Sequence, residues 1–368
     1  MRKLIVIIPT VIFLYGSMTC VHLSNFRSGY AFQGTSASPI KSPSTSGLTD
    51  IWKIDKAKAN KSSVNVEAGP VHVHKYNVPV PDYIRGIYLT NYVGNNKRML
   101  NGFIKDAKEN NINTFIVDVQ RKVVSKDLVS IIKKAGIFPV ARVVVFEGGL
   151  KRKKASKKYI AKILLTMEKA AKAGFQEIQL DYIRYADARS LRKLSLKHKY
   201  STINAILAAA NKKATELAVY LSADIFGRIT LNYNDHIGQK LENFSQYLDV
   251  IYPMLYPSHY NGDPYRMSHP YETVKEGVKK SVERCKETRI VAYIQGFKWK
   301  VNKSGKSLQE YIRLQIKAVD DAGGHGWIIW NARNKYKASY KAINQYDKQK
   351  KAVNSAEVNS KVETPNKG

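Results

Sequence analysis

Four acidic residues stand at the carboxyl ends of short apolar runs. They are Asp118 in Val117-Asp118-Val119-Gln120, Glu147 after Phe146, Asp181 in Gln179-Leu180-Asp181-Tyr182-Ile183-Arg184, and Asp224 in Ser222-Ala223-Asp224-Ile225-Phe226-Gly227. An acid in such a run is costly to bury unless it is paired or hydrogen-bonded. Two carboxylates flanking one bond, one protonated and one ionised, are what cleavage of a glycosidic bond requires. The runs holding Asp181 and Asp224 are consecutive, so these two can face one cavity. Asp181 is then the nucleophile or base and Asp224 the general acid, with Asp118 and Glu147 orienting or tuning them. A carboxyl separation of about 5 Å predicts retention of configuration, and about 6.5–9.5 Å predicts inversion. The plainer alternative is that such an Asp caps the next helix or pairs with Arg142 or Arg184.

Other groups at the run ends suit a sugar. Tyr182, Tyr185, Tyr256, Tyr260, Trp299 and Trp330 offer aromatic faces, Tyr256 and His259 can hold a ring, and Arg184, Gln295 and Asn331 add hydrogen-bonding groups. No second His lies near His259, so a hydrogen bond to substrate or carboxylate is favoured over metal ligation. His72 and His74 lack a third ligand nearby and read as part of an extended segment. No metal and no cofactor are expected. With only Cys20 and Cys285, a disulfide-stapled fold and a Cys-based zinc site are excluded, and Cys285 reads as a buried thiol.

Eight strand-like runs must position these groups: Ile84–Thr90, Asn113–Val119, Ile137–Phe146, Glu177–Ile183, Ala218–Phe226, Asp249–Leu255, Arg289–Gln295 and Gly326–Asn331. They are β-branched and apolar on both faces, as parallel strands covered by helices must be. Helical stripes lie between them, such as Ile160, Ile163, Leu164 and Met167, or Ile203, Ile206, Leu207 and Ala210. Gly136, Gly174 and Gly323 each sit between a helix and a strand, where a left-handed cap is expected. The pattern predicts a (β/α)8 TIM barrel over 83–346, in the α/β class, whose active site lies at the strand carboxyl ends. An open doubly wound sheet is the alternative, but no Gly-x-Gly-x-x-Gly or Walker loop supports a nucleotide fold.

The flanks differ in character. Met1-Arg2-Lys3, the apolar stretch Leu4 to Tyr15 and the small residues before Cys20 make 1–20 a secretory signal. Cys20 stands where a lipid-modified cysteine would, giving a membrane anchor. Residues 21–82, rich in Ser, Pro and Thr, predict a disordered spacer, and 347–368 a disordered tail. The protein is therefore expected to be exported, either to the envelope or beyond it. No internal apolar run approaches the ~20 residues that span a bilayer.

In 368 residues, 61 Lys+Arg against 29 Asp+Glu give a net charge of +32. The excess gathers at Lys151–Lys158, Arg184–Lys199 and Lys298–Lys306, all following strand ends. Such a field concentrates anions, which points to an anionic glycan or lipid. Export and the lack of any nucleic-acid-binding signature argue against nucleic acid.

The runs Arg85-Gly86-Ile87-Tyr88, Phe115 to Val119, Ala141 to Phe146, Gly174 to Tyr185, Ser222 to Gly227, Ile237-Gly238-Gln239, Pro253 to Tyr260 and Gly326 to Ala332 resemble, in that order, the "putative glycosyl hydrolase domain" family (domain of unknown function 4015). The resemblance covers residues 83–340. It implies a glycoside-hydrolase-like (β/α)8 barrel of bacterial envelopes, related to the α-amylase and chitinase barrels. The segment after Phe146 is shorter and more basic than the family's, and Gln120-Arg121 replaces the usual Lys-Asp. Ile183 stands where the chitinase pattern has its catalytic Glu. Two functions stay open: a glycoside hydrolase acting on an envelope or extracellular, anionic polysaccharide, and a non-catalytic glycan-binding or scaffold protein on the same barrel.

Overall fold

The computed structural model describes residues 79–362, with side chains to 355. The signal segment, Cys20, and most of the spacer, including His72 and His74, lie outside the described residues.

The expected strands form β1 (Ile84–Leu89), β2 (Thr114–Asp118), β3 (Phe138–Val144), β4 (Glu177–Asp181), β5 (Tyr220–Phe226), β6 (Val250–Met254), β7 (Arg289–Ile290), β8 (Ala292–Gln295) and β9 (Gly326–Trp330). Val291 interrupts the seventh stave, so β7 and β8 are one stave in two pieces and the ring has eight. All pairings are parallel, and β5 pairing with β6 closes the sheet into a (β/α)8 barrel.

Helices α1 (Asn91–Gly94), α2 (Lys97–Glu109), α3 (Lys126–Lys134), α4 (Lys157–Ala173), α5 (Leu196–Glu216), α6 (Leu241–Ser245), α7 (Pro264–Ser268), α8 (Pro270–Arg284), α9 (Leu308–Asp321) and α10 (Lys337–Val362) follow the staves. Their starts are written locally: Ser156, Ser195 and Ser307 accept from the backbone N–H three residues on, capping α4, α5 and α9. Gly136, Gly174 and Gly323 take the expected positive φ of 77°, 103° and 71°. Cys285 is a buried free thiol just past α8. No helix among the described residues is long and apolar enough to cross a membrane.

Strand alternation separates two apolar layers. Ile84, Ile116, Val140, Tyr252, Tyr293 and Ile328 pack inside the ring, while Ile87, Phe115, Val117, Ile178 and Ile329 join the helices outside it. One expectation is corrected. The boundary at Asp347 falls inside α10, which continues to Val362. Asp347 holds Arg85 of β1 through Oδ1 and Oδ2, at 3.0 and 2.8 Å. The segment shows no apolar period because residues 351–355 are all exposed, so the helix propagates there without burial.

The seam between β1 and β9 admits no side chain at Gly326, whose φ is 136° and where a Cβ would lie 2.1 Å from the Ile84 carbonyl oxygen. Gly326→Ala is expected to destabilise the barrel by about 3 kcal/mol or more in urea unfolding. Gly102→Ala, in open space within α2, is expected to cost nothing or to stabilise.

Candidate active site

Along β4, Glu177, Gln179 and Asp181 alternate with Ile178 and Leu180, so all three polar side chains point into the ring. The strand register puts Arg142 of β3 opposite Asp118 of β2, and Asp224 of β5 follows the Leu180–Ala223 pair. Four charged groups from four consecutive staves therefore meet at the carboxyl mouth.

Arg142 organises them. It is 7% exposed, and its Nη1 donates to Asp118 Oδ2 at 2.9 Å. Its Nε donates to Asp181 Oδ2 at 2.9 Å, with Nη2 donating to the same oxygen. The other Asp181 oxygen accepts from the Tyr182 N–H at 2.6 Å. The guanidinium lies over the rings of Tyr88 and Trp330, at 5.7 and 5.4 Å from their centroids. The alternative of pairing with arginine is thus the observed state of Asp118 and Asp181.

Asp224 differs. It is 3% exposed, its Oδ1 has no hydrogen-bond partner, and it lies within hydrogen-bonding reach of Asp181. Burial, and then the Asp181 charge, push its pKa far above the ordinary carboxylate range, against the pull of Arg142. Of two adjacent carboxyls, one is held as an ion pair and the other is driven to keep its proton.

The remaining expected groups divide. Tyr256 is buried within the field of Asp224, and its ring meets Phe297 edge-on at 5.7 Å. His259 is exposed at its outer side but packs against Tyr256, Phe297 and Trp299. Desolvation and then Lys300 push its pKa down to about 4, so it is neutral at pH 7. With the half-exposed Trp299 it forms an aromatic wall on the β6 and β8 side. Trp330, on the neighbouring stave β9, meets Tyr293 of β8 edge-on at 5.9 Å and Tyr88 of β1 at 3.9 Å, its ring tilted by 34° to the latter. Tyr182 has a left-handed φ of 55°, and Arg184 lies 5.3 Å above its ring.

Three side chains do not join the mouth. Gln295 is fully buried; it accepts from the Ser258 N–H and donates to the carbonyls of Phe297 and Trp299, bracing two loops. Asn331 likewise spends its amide on the carbonyls of Gly296 and Lys335 and on the Arg333 N–H. Glu147 is exposed on the loop beyond β3, beside Tyr159. Conversely, composition gave no role to Glu177. It is fully buried in the ring, accepts from Ser222 Oγ at 2.6 Å and Tyr252 Oη at 2.9 Å, and leaves Oε2 unpartnered. Its place two and four residues before Gln179 and Asp181, on the same inward face of the strand, was the available signal.

The fold and this polar mouth define a TIM barrel of glycoside-hydrolase type. The family model described as "putative glycosyl hydrolase domain" matches residues 150–336, and the chain belongs to that family. Its fold is similar to an endo-β-1,4-mannanase from Thermotoga petrophila, with 12% identity, 72% of this chain and 76% of that chain covered, and a TM-score of 0.55. An endo-1,4-β-mannanase from Rhizomucor miehei gives 9%, 74%, 96% and 0.54. The spore cortex-lytic enzyme SleL of Bacillus megaterium gives 12%, 72%, 75% and 0.51. Identities this low show shared architecture alone. A search of curated proteins finds no match.

Two stability tests follow from the buried charges. Arg142→Met leaves Asp118 and Asp181 without their cation and is expected to cost about 3–5 kcal/mol in urea unfolding. Adding Asp118→Asn and Asp181→Asn to that variant should restore most of the loss. Burial raises the Glu177 pKa to about 7, above its ordinary value of 4.5. Its contribution is complete below pH 4.5 and is lost as pH rises through 7. Parent stability should therefore fall between pH 5 and 8, by something on the order of 3 kcal/mol for that shift. Glu177→Gln should remove that slope.

Proposed function

We propose that the protein hydrolyses glycosidic bonds of an envelope or extracellular polysaccharide, with Asp224 as general acid and Asp181 as nucleophile. The observation that carries this reading is the opposed treatment of two adjacent carboxyls: Asp181 is gripped by the Arg142 guanidinium, while burial and the neighbouring carboxylate push Asp224 far up toward its protonated form. Asp224 delivers its proton to the leaving oxygen as the bond to the anomeric carbon breaks. Asp181 meets the developing positive charge and forms the glycosyl-enzyme bond; a water activated by the deprotonated Asp224 then releases the sugar. With Asp181 as the nucleophile, two successive displacements at the anomeric carbon give net retention, and the touching carboxyls must part to about 5 Å to admit the glycosidic bond.

Around the pair, Asp118 shares Arg142 and thereby sets the guanidinium that orients Asp181. Trp330, Tyr256 and His259 stand at the ends of neighbouring staves and supply ring faces and a neutral imidazole for sugar hydroxyls. The basic loops after β3, β4 and β8 surround the mouth and suit an acidic polymer. An N-terminal export signal with a lipid-accepting Cys20 would place the barrel where such polymers are found.

A second reading keeps the glycan and drops the chemistry. It is favoured by the burial of the pair, with Asp181 6% and Asp224 3% exposed, and by the bonds already made by both Asp181 oxygens. The two readings part on reducing ends. The enzyme should release them from wall or capsular polysaccharide, and Asp224→Asn and Asp181→Asn should each cut the rate at least 1,000-fold while binding persists. The rate should fall at alkaline pH as Asp224 loses its proton, and NMR should show product of retained anomeric configuration. Glycan binding by the parent with no release of reducing ends would leave only the second reading.

A further inference from the structure

Two arginines are buried among the described residues, and they are treated oppositely. Arg142 has two carboxylates; Arg184, 9% exposed, has none. Inside the protein Arg184 makes one hydrogen bond, Nη1 to the Tyr185 carbonyl at 2.9 Å, and its Nε is buried with no acceptor. The guanidinium is instead sandwiched by rings, 5.3 Å from the Tyr182 centroid and 4.6 Å from that of Phe226. Nearby acids are already committed: Asp181 to Arg142, Asp187 to Arg192 and His236, and Asp235 to Arg228. A buried cation without a counterion is expensive, and a fold that keeps one gains nothing in stability by doing so.

The backbone holds this cation under the basic loops. Leu150 N–H donates to the Arg184 carbonyl at 2.8 Å, and Ala186 N–H donates to Leu150 at 3.0 Å. Lys151, Arg152, Lys153 and Lys154 follow Leu150 directly, all exposed. Tyr182, whose left-handed backbone places its ring beneath the guanidinium, is also the residue after Asp181. The unpaired cation is therefore fixed beside the proposed nucleophile, with a long-range positive field above it. Arginine presents a planar fork suited to oxyanions, and aromatic stacking holds that fork flat without neutralising it.

We propose that Arg184 is the recognition cation for an oxyanion carried by the bound glycan: a carboxylate, sulfate or phosphate ester on a sugar next to the one at Asp181. The Lys151–Lys154 loop attracts the polymer, and Arg184 discriminates its charged residue from a neutral one. This rests on the mouth being a sugar site.

The test is calorimetric binding by the full chain at low and high salt. The probes are oligogalacturonate, a sulfated oligogalactan, poly(glycerol phosphate) and a neutral oligogalactan. The parent should bind at least one acidic probe 10-fold or more tightly than the neutral one, and the probe preferred identifies the oxyanion. Arg184→Gln should remove that preference with an unchanged or higher Tm. Replacing Lys151, Lys153 and Lys154 by Ala should weaken acidic binding and flatten its salt dependence, yet keep the preference at high salt. A preference that survives Arg184→Gln, or a parent without one, overturns the proposal. Should Arg184→Gln fail to fold, Arg184→Lys decides: an intermediate preference supports the role and an unchanged one overturns it. Binding of no glycan at all overturns the sugar site as well, whereas equal binding of neutral and acidic probes overturns only the oxyanion.

Discussion

The mouth of the barrel depends on one guanidinium. Arg142 enters a parallel strand whose other residues are all apolar, and it is retained because two carboxylates and two aromatic rings close around it. Each partner comes from a different stave: Tyr88 from β1, Asp118 from β2, Asp181 from β4 and Trp330 from β9. A single buried cation thus fixes the relative positions of four strand ends. It also sets the electrostatics of its neighbour, since an Asp181 held charged makes ionisation of Asp224 harder.

Beneath this layer the ring is not simply oily. Glu177 with Ser222 and Tyr252, and Gln179 with Tyr293, form hydrogen-bonded levels along β4 below Asp181. Buried polar levels of this kind demand a unique packing, because an unpaired group in a low-dielectric interior is costly. Rigidity at the base supports the upper groups, whose roles require positions fixed to a fraction of an ångström.

Much of the architecture was legible in the sequence because its signals are local. Short β-branched runs, amphipathic stripes and glycines at helix ends each report on their own few residues, and they recur often enough to count the staves. The proximity of Asp181 and Asp224 was legible too, since consecutive parallel strands are neighbours. The Arg142 pairing was legible only as an alternative, because it depends on register: the pairing of Asp118 with Arg142 across β2 and β3 brings cation and acid to one level. Gln295 and Asn331 show the converse limit. Both stand at strand ends, where a mouth group belongs, but their amides are drawn into loop carbonyls that no pattern of residue types reveals. The end of α10 was misplaced for a related reason: residues 351–355 are all exposed and carry no apolar period to read.

The pair between Arg85 and Asp347 joins the first stave to the last helix, at a seam where β1 also meets β9. The ring can close only between segments from opposite ends of the barrel sequence, so its final contacts form over nearly the whole length of that chain. Contacts of such long range carry a large loop-closure cost and are made late. During synthesis β1 therefore waits, one edge open, until almost everything downstream has been made. A carboxylate beyond the last stave, gripping the first, works as a completeness check: a chain cut short before it leaves the gate unlatched.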